Sequence, residues 1–320
     1  KKLTPVFSRA LLPTMNGSNF VLEFILLGFP FSRLFQIFLS AVVFIFYTIV
    51  LLGNVFIMLT DTHLTHLPMY ILLGNFSWLE MCYVTATIPR MLYDLSFPGE
   101  IISFNVCFLQ FYVFFSLGNT ECFFLSAMAF DRYSAICHPL HYPKIMSQHS
   151  CYALVVACWI FGFLWYIIPV VLISRLSFCG PNAIDHFVCD PGPLLALACP
   201  PLGYIPLLCH VSVSSVVLAT FLFIMGSYAH VFVALVKTSS QSNCVKGFST
   251  VTSHLAVVTL FYGSVVATYV VPNGENRAEI TKMVTLFYSA VTPFLNPLIY
   301  CLRNGQVKKA LVVAGYSNII

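Results

Sequence analysis

Seven long apolar runs constrain the fold of this chain more than any other feature of its sequence. A run of roughly 20 apolar residues is long enough to cross a bilayer as a helix. The runs cover residues 34–60, 68–92, 107–133, 151–173, 248–271 and 283–302, and the fifth lies within residues 191–236. Only 8% of the 320 residues are charged, against about 25% in a typical soluble domain. The sequence therefore predicts an all-α membrane protein, a bundle of seven transmembrane helices.

The distribution of positive charge indicates how these spans are oriented. Asn16 opens an Asn-Gly-Ser glycosylation sequon, which predicts that residues 1–33 lie outside the cell. An odd number of spans then places the C-terminus in the cytoplasm, where the predicted loops and tail carry the modest excess of Lys and Arg. Met15 beside the sequon is typical of a start, so residues 1–14 are interpreted as an upstream extension. We expect a multi-pass protein of the plasma membrane.

The chain after the last span has the pattern of a short interfacial helix. Residues 303–320 follow the predicted bundle, which occupies residues 34–302. Within residues 305–313, Val307 and Leu311 share one helical face and two lysines lie beside them. This amphipathic pattern suits a membrane surface. We therefore predict a cytoplasmic amphipathic helix and tail in contact with membrane lipids.

Four cysteines lie in segments that are predicted to be outside the membrane: Cys107, Cys179, Cys189 and Cys199. An oxidising compartment favours disulfides among them. Four cysteines allow three pairings, and the spacing alone does not choose one. A metal site at His186 and Cys189 is a weaker alternative, because disulfide pairing would use up the thiolates.

The third apolar run carries a stripe of residues three or four apart, which places them on one helical face. Its members are Phe111, Phe114, Gly118, Glu121, Leu125, Met128 and Arg132. Glu121 and Arg132 are eleven positions apart, or about 16 Å along a helix axis. The packing face of a central helix would show a similar stripe, but packing does not account for an acid at mid-depth.

Two carboxylates, Glu80 and Glu121, lie at membrane depth, where a charge is costly and usually marks a functional site. Together they could hold a sodium ion, with Asn54, Ser126 and Asn296 as neutral oxygen donors. Alternatively, one or both carboxyls are protonated, because burial favours the neutral acid. No cofactor is expected apart from this candidate sodium ion.

The inner ends of the third and seventh runs combine charge with helix-breaking residues. Asp131 and Arg132 close the third run, and His138, Pro139 and Pro143 are expected to stop the helix. Simple interface anchoring would also explain the charge pair. In the seventh run, two prolines flank an Asn-containing segment that is expected to kink, with Tyr300 near the inner face.

Taken in order, these stretches resemble the rhodopsin-like G-protein-coupled receptors, and within them the odorant receptors. The matching residues are 53–54, 68–70, 128–137, 139–142, 227–228, 248–250, 253–255 and 293–304. The resemblance implies that Asp131 holds Arg132 at rest and that Arg132 engages a heterotrimeric G protein of the stimulatory olfactory type. The activation residues that it implies are Asp131, Arg132, Tyr133, Tyr228, His254, Asn296, Pro297 and Tyr300.

The resemblance also implies disulfides and roles that spacing alone left open. Cys107 would pair with Cys189, and Cys179 with Cys199. Glu80 and Glu121 would line the central ion pocket. Tyr262 would act as a toggle beneath the ligand.

The outer half of the bundle is expected to bind a small, neutral, largely apolar odorant. Residues 107–119 contain no Asp or Glu that could pair with an amine, and Asn119 is their strongest hydrogen-bonding group. An apolar pocket with a few placed polar groups is the usual form of a small-molecule site. The predicted lining residues are Phe111, Phe114, Phe115, Gly118, Asn119, Ser212, Val216, Tyr262, Val265, Val266, Tyr269, Thr285 and Ser289. The plain alternative is that these aromatic residues only pack the bundle.

Other function classes have less support. A secondary transporter could use Glu80 and Glu121 as an ion relay, but transporters usually show internal repeats, and none is visible here. The sequence contains no HExxH or GxSxG motif, so the chain is not expected to be an enzyme. The formal net charge is +4 without a basic block, so nucleic acid is not expected as a partner.

Overall fold

The computed structural model describes residues 22–29, 31–60, 67–179, 181–237, 241–270 and 277–296. The long helices are α1 (Arg33–Thr60), α2 (Pro68–Ser96), α3 (Phe104–Cys137), α5 (Gln148–Ser174), α7 (Ile205–Lys237), α8 (Gln241–Val270) and α9 (Arg277–Leu286). The short elements are β1 (Glu23–Leu26), β2 (Ile101–Ser103), α4 (Tyr142–Ile145), β3 (Ala183–Ile184) and α6 (Pro191–Leu197).

Six of the described helices, namely α1, α2, α3, α5, α7 and α8, are long and apolar enough to cross a membrane. The seventh segment starts at Arg277, earlier than predicted, and α9 runs into a π-helical segment, Phe287–Val291. This segment contacts α1, α2 and α8, so it completes the predicted seven-helix bundle. Pro293 has no N–H to offer the carbonyl of Ser289, which fits a widened helix just before it.

Several predicted features lie outside the described residues. They are the Asn16 sequon, the candidate upstream extension, the end of the seventh span with Pro297 and Tyr300, and the C-terminal amphipathic helix. The side chain of Tyr269 also lies outside the description.

Helix α3 is the axis of the bundle and packs against α2, α5, α7 and α8. Its buried residues point in all directions, as in a helix that neighbours surround completely. The helix begins at Phe104, where the side chain of Ser103 accepts a hydrogen bond from the N–H of Val106 at 3.4 Å. It ends at Cys137, directly before His138, which confirms the predicted stop.

A close contact between α3 and α5 depends on Gly162. A Cβ at this position would lie 1.9 Å from Thr120 Oγ1 and 2.9 Å from Thr120 Cα. Small residues of this kind let membrane helices approach closely. The contact fixes the spacing between the central helix and α5.

A small sheet on the outer face was not predicted. Strand β1 pairs with β2 in antiparallel register and with β3 in parallel register. Phe24 of β1 packs against the rings of Phe104 and Phe178, at centroid distances of 6.0 and 5.5 Å. The strands are two to four residues long and their partners are distant in sequence, so no local pattern reveals them.

We predict that Gly162→Ala destabilises the protein, because the added methyl group overlaps the backbone of α3. Overpacking of this kind typically costs about 1–3 kcal/mol. The matched control is Gly226→Ala in α7, where an added Cβ meets no described atom within 4 Å. The measurement is the melting temperature of purified protein. A Gly162→Ala variant that melts at or above the parent temperature would contradict this account of the contact.

Candidate functional site

The loop between α5 and α7 closes the outer end of the bundle, and we call its residues 183–196 the roof. Cys107 of α3 and Cys189 of the roof form a disulfide with Cα atoms 5.6 Å apart. A second disulfide joins Cys179 and Cys199, with Cα atoms 5.1 Å apart. These are the two pairings that the resemblance implied.

Gln110 and an ion pair fix the roof further. The Oε1 atom of Gln110 accepts a hydrogen bond from the N–H of Cys189 at 3.2 Å, and its Nε2 donates to the carbonyl of Ala86 at 3.3 Å. The ammonium of Lys282 on α9 donates to the Asp185 carboxylate. The Lys282 side chain is only 2% exposed while that of Asp185 is 56% exposed. The roof is therefore attached to α2, α3 and α9.

A cavity of about 750 Å³ lies beneath the roof. Helices α2, α3, α5, α7, α8 and α9 all contribute to its wall. The lining residues are Tyr83, Phe114, Phe115, Gly118, Asn119, Cys122, Tyr166, Cys209, His210, Val213, Val217, Phe261, Val265, Thr268, Thr281 and Tyr288 from the helices and Asp185, His186, Asp190–Pro193, Leu195 and Ala196 from the roof.

Stacked aromatic rings shape the part of the cavity wall that the helices form. The rings of Phe115 and Tyr166 stack at 5.0 Å, and those of Tyr83 and Phe114 stack at the same distance. Gly118 leaves room beside Tyr83, because a Cβ added at Gly118 would lie 3.7 Å from the Tyr83 hydroxyl. The cavity wall is thus mostly apolar and held in place by ring contacts.

Part of the predicted ligand site lines the cavity. The structure brings together Phe114, Phe115, Gly118, Asn119 and Val265. Phe111 is instead fully buried behind the wall, where its ring meets those of Phe115 and Tyr166.

The remaining predicted residues lie elsewhere, and the correction is largely one of helix rotation. Val266 is 53% exposed on the outside of the bundle, and the carbonyl of Ser212 accepts a hydrogen bond from Trp165 Nε1 at 3.0 Å. Successive residues turn by about 100° around a helix, so an error of one position misplaces a side chain. The neighbours Val213 and Val217 line the cavity in place of Ser212 and Val216, and Phe261 and Tyr288 do so in place of Tyr262 and Ser289. Thr285 shares a face of α9 with Thr281, which lines the cavity, but lies one turn further along the helix.

The sequence reasoning missed the roof and Tyr166 altogether. The pairing of Cys107 with Cys189 was a usable signal, since it draws the loop over the outer end of α3. Tyr166 sits in a uniformly apolar run, which offers no pattern to separate a lining residue from a packing residue.

Three titratable residues of the roof line the cavity, namely Asp185, which pairs with Lys282, His186 and Asp190. Burial raises the pKa of Asp190 to about 6, and the hydrogen bond that Oδ1 accepts from the N–H of Gly192 at 2.9 Å partly opposes this. Burial, and next the nearby charge of Lys282, lowers the pKa of His186 to about 3. His186 is therefore neutral at physiological pH, whereas Asp190 is mostly ionised and already engaged at one oxygen.

Glu80 and Glu121 lie in the middle of the bundle, as predicted from their depth. Glu80 Oε1 accepts a hydrogen bond from Asn296 Nδ2, which joins α2 to the seventh segment. Glu121 lies close enough to interact electrostatically with Glu80. Asn54 and Ser126 donate instead to carbonyls of their own helices. Within the described ranges, no group of three or more His, Cys, Asp or Glu could hold a metal ion.

Two hydrogen bonds between side chains of the described residues join α7 to α8, and we call this pair of bonds the clasp. Tyr262 donates to Thr220 Oγ1 at 2.8 Å just below the cavity, and Tyr228 shares a 2.5 Å hydrogen bond with His254 deeper in the bundle. In each helix the two residues are eight positions apart, or about 12 Å along the axis. The clasp therefore joins the antiparallel helices at two successive levels.

The inner end of α3 holds the predicted charge pair. Arg132 Nη2 lies 2.5 Å from Asp131 Oδ2, and the hydroxyl of Tyr142 donates to Asp131 Oδ1 at 2.7 Å. Tyr133 shares a 3.1 Å hydrogen bond with His138. Asp131 is thus engaged by both its oxygens, and α4 is tied to the end of α3.

Comparison with known proteins gives one consistent result. The sequence model of the family described as Olfactory receptor matches residues 43–315. The human protein Olfactory receptor 11H6 is 52% identical over 312 residues, which cover 97% of this chain and 94% of the relative. The human protein Olfactory receptor 11G2 is 54% identical over 299 residues, which cover 92% of this chain and 86% of the relative. The family match runs from within α1 to beyond the last described residue.

We predict that Thr220→Val and Tyr262→Phe each lower the unfolding free energy by about 1 kcal/mol, the usual net worth of a hydrogen bond. Because both variants remove the same bond, the double variant should be little worse than either single one. The control pair is Ser227→Ala with Tyr262→Phe, since among the described residues the Ser227 hydroxyl bonds to the Phe223 carbonyl of its own helix and to no side chain of α8. Additive losses in the Thr220–Tyr262 pair would show that the upper bond of the clasp does not form.

Proposed function

This chain belongs to the olfactory receptor family of G-protein-coupled receptors, and from that premise we propose that it binds a small neutral odorant in the cavity beneath the roof and activates a heterotrimeric G protein. It is a multi-pass protein of the plasma membrane. In the proposed orientation the roof faces outward and the Asp131–Arg132 pair faces the cytoplasm, where a G protein of the stimulatory olfactory type would dock.

The observation that carries the ligand proposal is the balance of charge in the cavity wall. Asp185 is paired with Lys282, and Asp190 is engaged by Gly192. The rest of the wall is aromatic, aliphatic or uncharged. Among the described residues, the helical part of the wall carries no Asp, Glu, Lys or Arg, so no side chain there would pair with a ligand charge, whereas a neutral molecule fits. A volatile of about ten heavy atoms in such a site reaches micromolar affinity at best, on ligand-efficiency bounds.

The clasp offers a route from the cavity to the inner face. Phe261 and Cys122 line the cavity floor, and the Phe261 ring lies 5.2 Å from that of Tyr262. A ligand that presses on Phe261 would change the stability of the Tyr262–Thr220 bond. Since a ligand shifts a two-state equilibrium only through differential contacts, this bond is our candidate for the contact that differs between states.

The centre of the bundle is the proposed site of a sodium ion or a shared proton. Glu80, Glu121 and Asn296 meet there without a basic partner among the described residues. Unpaired acids in a membrane interior are costly, so an ion or proton would stabilise them. A secondary transporter would use the same two acids as an ion relay. Because the chain belongs to a receptor family, no specific observation supports the transporter.

The test is nucleotide exchange on a stimulatory G protein by the purified receptor in lipid nanodiscs. Neutral esters, ketones and alcohols should accelerate exchange more than amines and carboxylic acids of the same carbon skeleton. Arg132→Ala should abolish the acceleration and leave odorant binding within about threefold, because Arg132 lies at the opposite end of α3 from the cavity.

Three outcomes would overturn parts of this proposal. Amines as the best agonists, with their effect lost in Asp190→Asn, would show that the cavity binds cations. Undiminished exchange by Arg132→Ala would remove its assigned role. Odorant-dependent solute flux in vesicles without any exchange would favour the transporter.

A further inference from the structure

Two buried hydrogen-bond donors in the cavity wall are not used by the protein. Asn119 of α3 is 5% exposed, and its Nδ2 finds no hydrogen-bond partner among the described residues. His186 of the roof is 2% exposed, and its Nε2 is likewise unpartnered in the part of the chain that the structure describes. Both residues line the cavity. A buried polar group without a partner costs free energy, so each is a position where a ligand atom could compensate.

The hydrogen bond at Nδ1 of His186 determines which nitrogen of the neutral ring carries the proton. Nδ1 accepts a hydrogen bond from the N–H of Val188 at 3.1 Å. In the neutral ring the proton must then reside on Nε2, which makes this atom a donor. Burial keeps the ring neutral by lowering the pKa of His186 to about 3.

The His186 donor is held in place before any ligand arrives. Its backbone N–H donates to the carbonyl of Ile184 at 2.8 Å, and its own carbonyl accepts from the N–H of Gly28 at 3.2 Å. The imidazole also stacks on the ring of Phe187 at 4.8 Å. Little conformational freedom is left to lose on binding, which is the condition for a hydrogen bond to discriminate between ligands.

The two donors belong to residues at different depths of the bundle. His186 is three residues from Cys189, which is bonded to Cys107 at the outer end of α3. Asn119 lies twelve residues further along α3, or about 18 Å deeper on the helix axis. Helical side chains lean towards the helix N-terminus, so Asn119 leans outward, towards the roof. An extended molecule could therefore meet both donors, one at each of its ends.

We propose that His186 is a specificity-determining residue, and that together with Asn119 it selects an elongated neutral odorant with a hydrogen-bond acceptor at each end. Diesters, diketones and keto-esters carry a carbonyl acceptor at each end, whereas monoesters carry one at a single end. The inference rests on the proposed function, because it names the ligand class for the same cavity.

The experiment compares two ligand series of matched chain length, namely dimethyl diesters and methyl monoesters. Exchange on the G protein gives the concentration for half-maximal response. One neutral hydrogen bond is worth about 0.5–1.5 kcal/mol, so the best diester should be roughly 2- to 12-fold more potent than its monoester. The advantage should peak at one chain length.

Two substitutions at His186 separate recognition from structure. His186→Asn keeps an oxygen that can accept from the N–H of Val188 and removes the donor at the Nε2 position. His186→Gln places an amide N–H near the Nε2 position and gives up the acceptor at the Nδ1 position. We expect His186→Asn to abolish the diester advantage, measured as the ratio of diester to monoester potency, and His186→Gln to retain that ratio. Asn119→Leu should also abolish the advantage, and antibody staining should confirm equal surface levels.

The possible failures are distinguishable. If monoesters activate the receptor but diesters are no better, or if His186→Asn keeps the advantage that His186→Gln loses, the inference is wrong and the proposed function stands. If no neutral compound of any series drives exchange by receptor that is present at the surface, the proposed function itself fails.

Discussion

The bond between Cys107 and Cys189 is the constraint on which the outer half of this receptor depends. It fastens the roof to the first turn of the central helix, across 82 residues of sequence. Gln110, one turn deeper, then bonds to both the roof and α2. Without this anchor the apolar wall of the cavity would be an open cleft. The position of His186 and Asp190, and hence the polar character of the site, follows from it.

Polar side chains at successive depths of the bundle provide a second kind of constraint. Helix α3 is surrounded by other helices, and its polar residues at successive depths meet different partners: the roof at Gln110, an acidic cluster at Glu121 and the Tyr142 hydroxyl at Asp131. The two hydrogen bonds of the clasp likewise join α7 and α8 at two successive depths. Hydrogen bonds are directional, so a small change in helix position breaks them outright. This property suits the two-state helix bundle that the proposed function requires.

The helix bundle was predictable because its signals are local. Run length and composition located the spans, and the sequence after Cys137 located the end of α3. The cavity wall was only partly predictable, because it depends on helix rotation. A single residue changes the facing direction by about 100°, and a uniformly apolar helix carries no pattern that reports its rotation. Val266 and Ser212 were misplaced for this reason, whereas Asn119 and Gly118 break the apolar pattern of α3 and were placed in the wall.

The central claim is that the odorant lies between the roof and the mid-depth of α3, and photoaffinity labelling of the purified receptor tests it most directly. The probe is an aliphatic ester that carries a diazirine, competed with excess unlabelled ester and mapped by mass spectrometry. We predict that the competed label falls on peptides containing residues 114–122 and 185–196. Competed labelling around Val266 on the outer surface, or in the groove that Arg33 and Leu95 line between α1 and α2, would contradict the account.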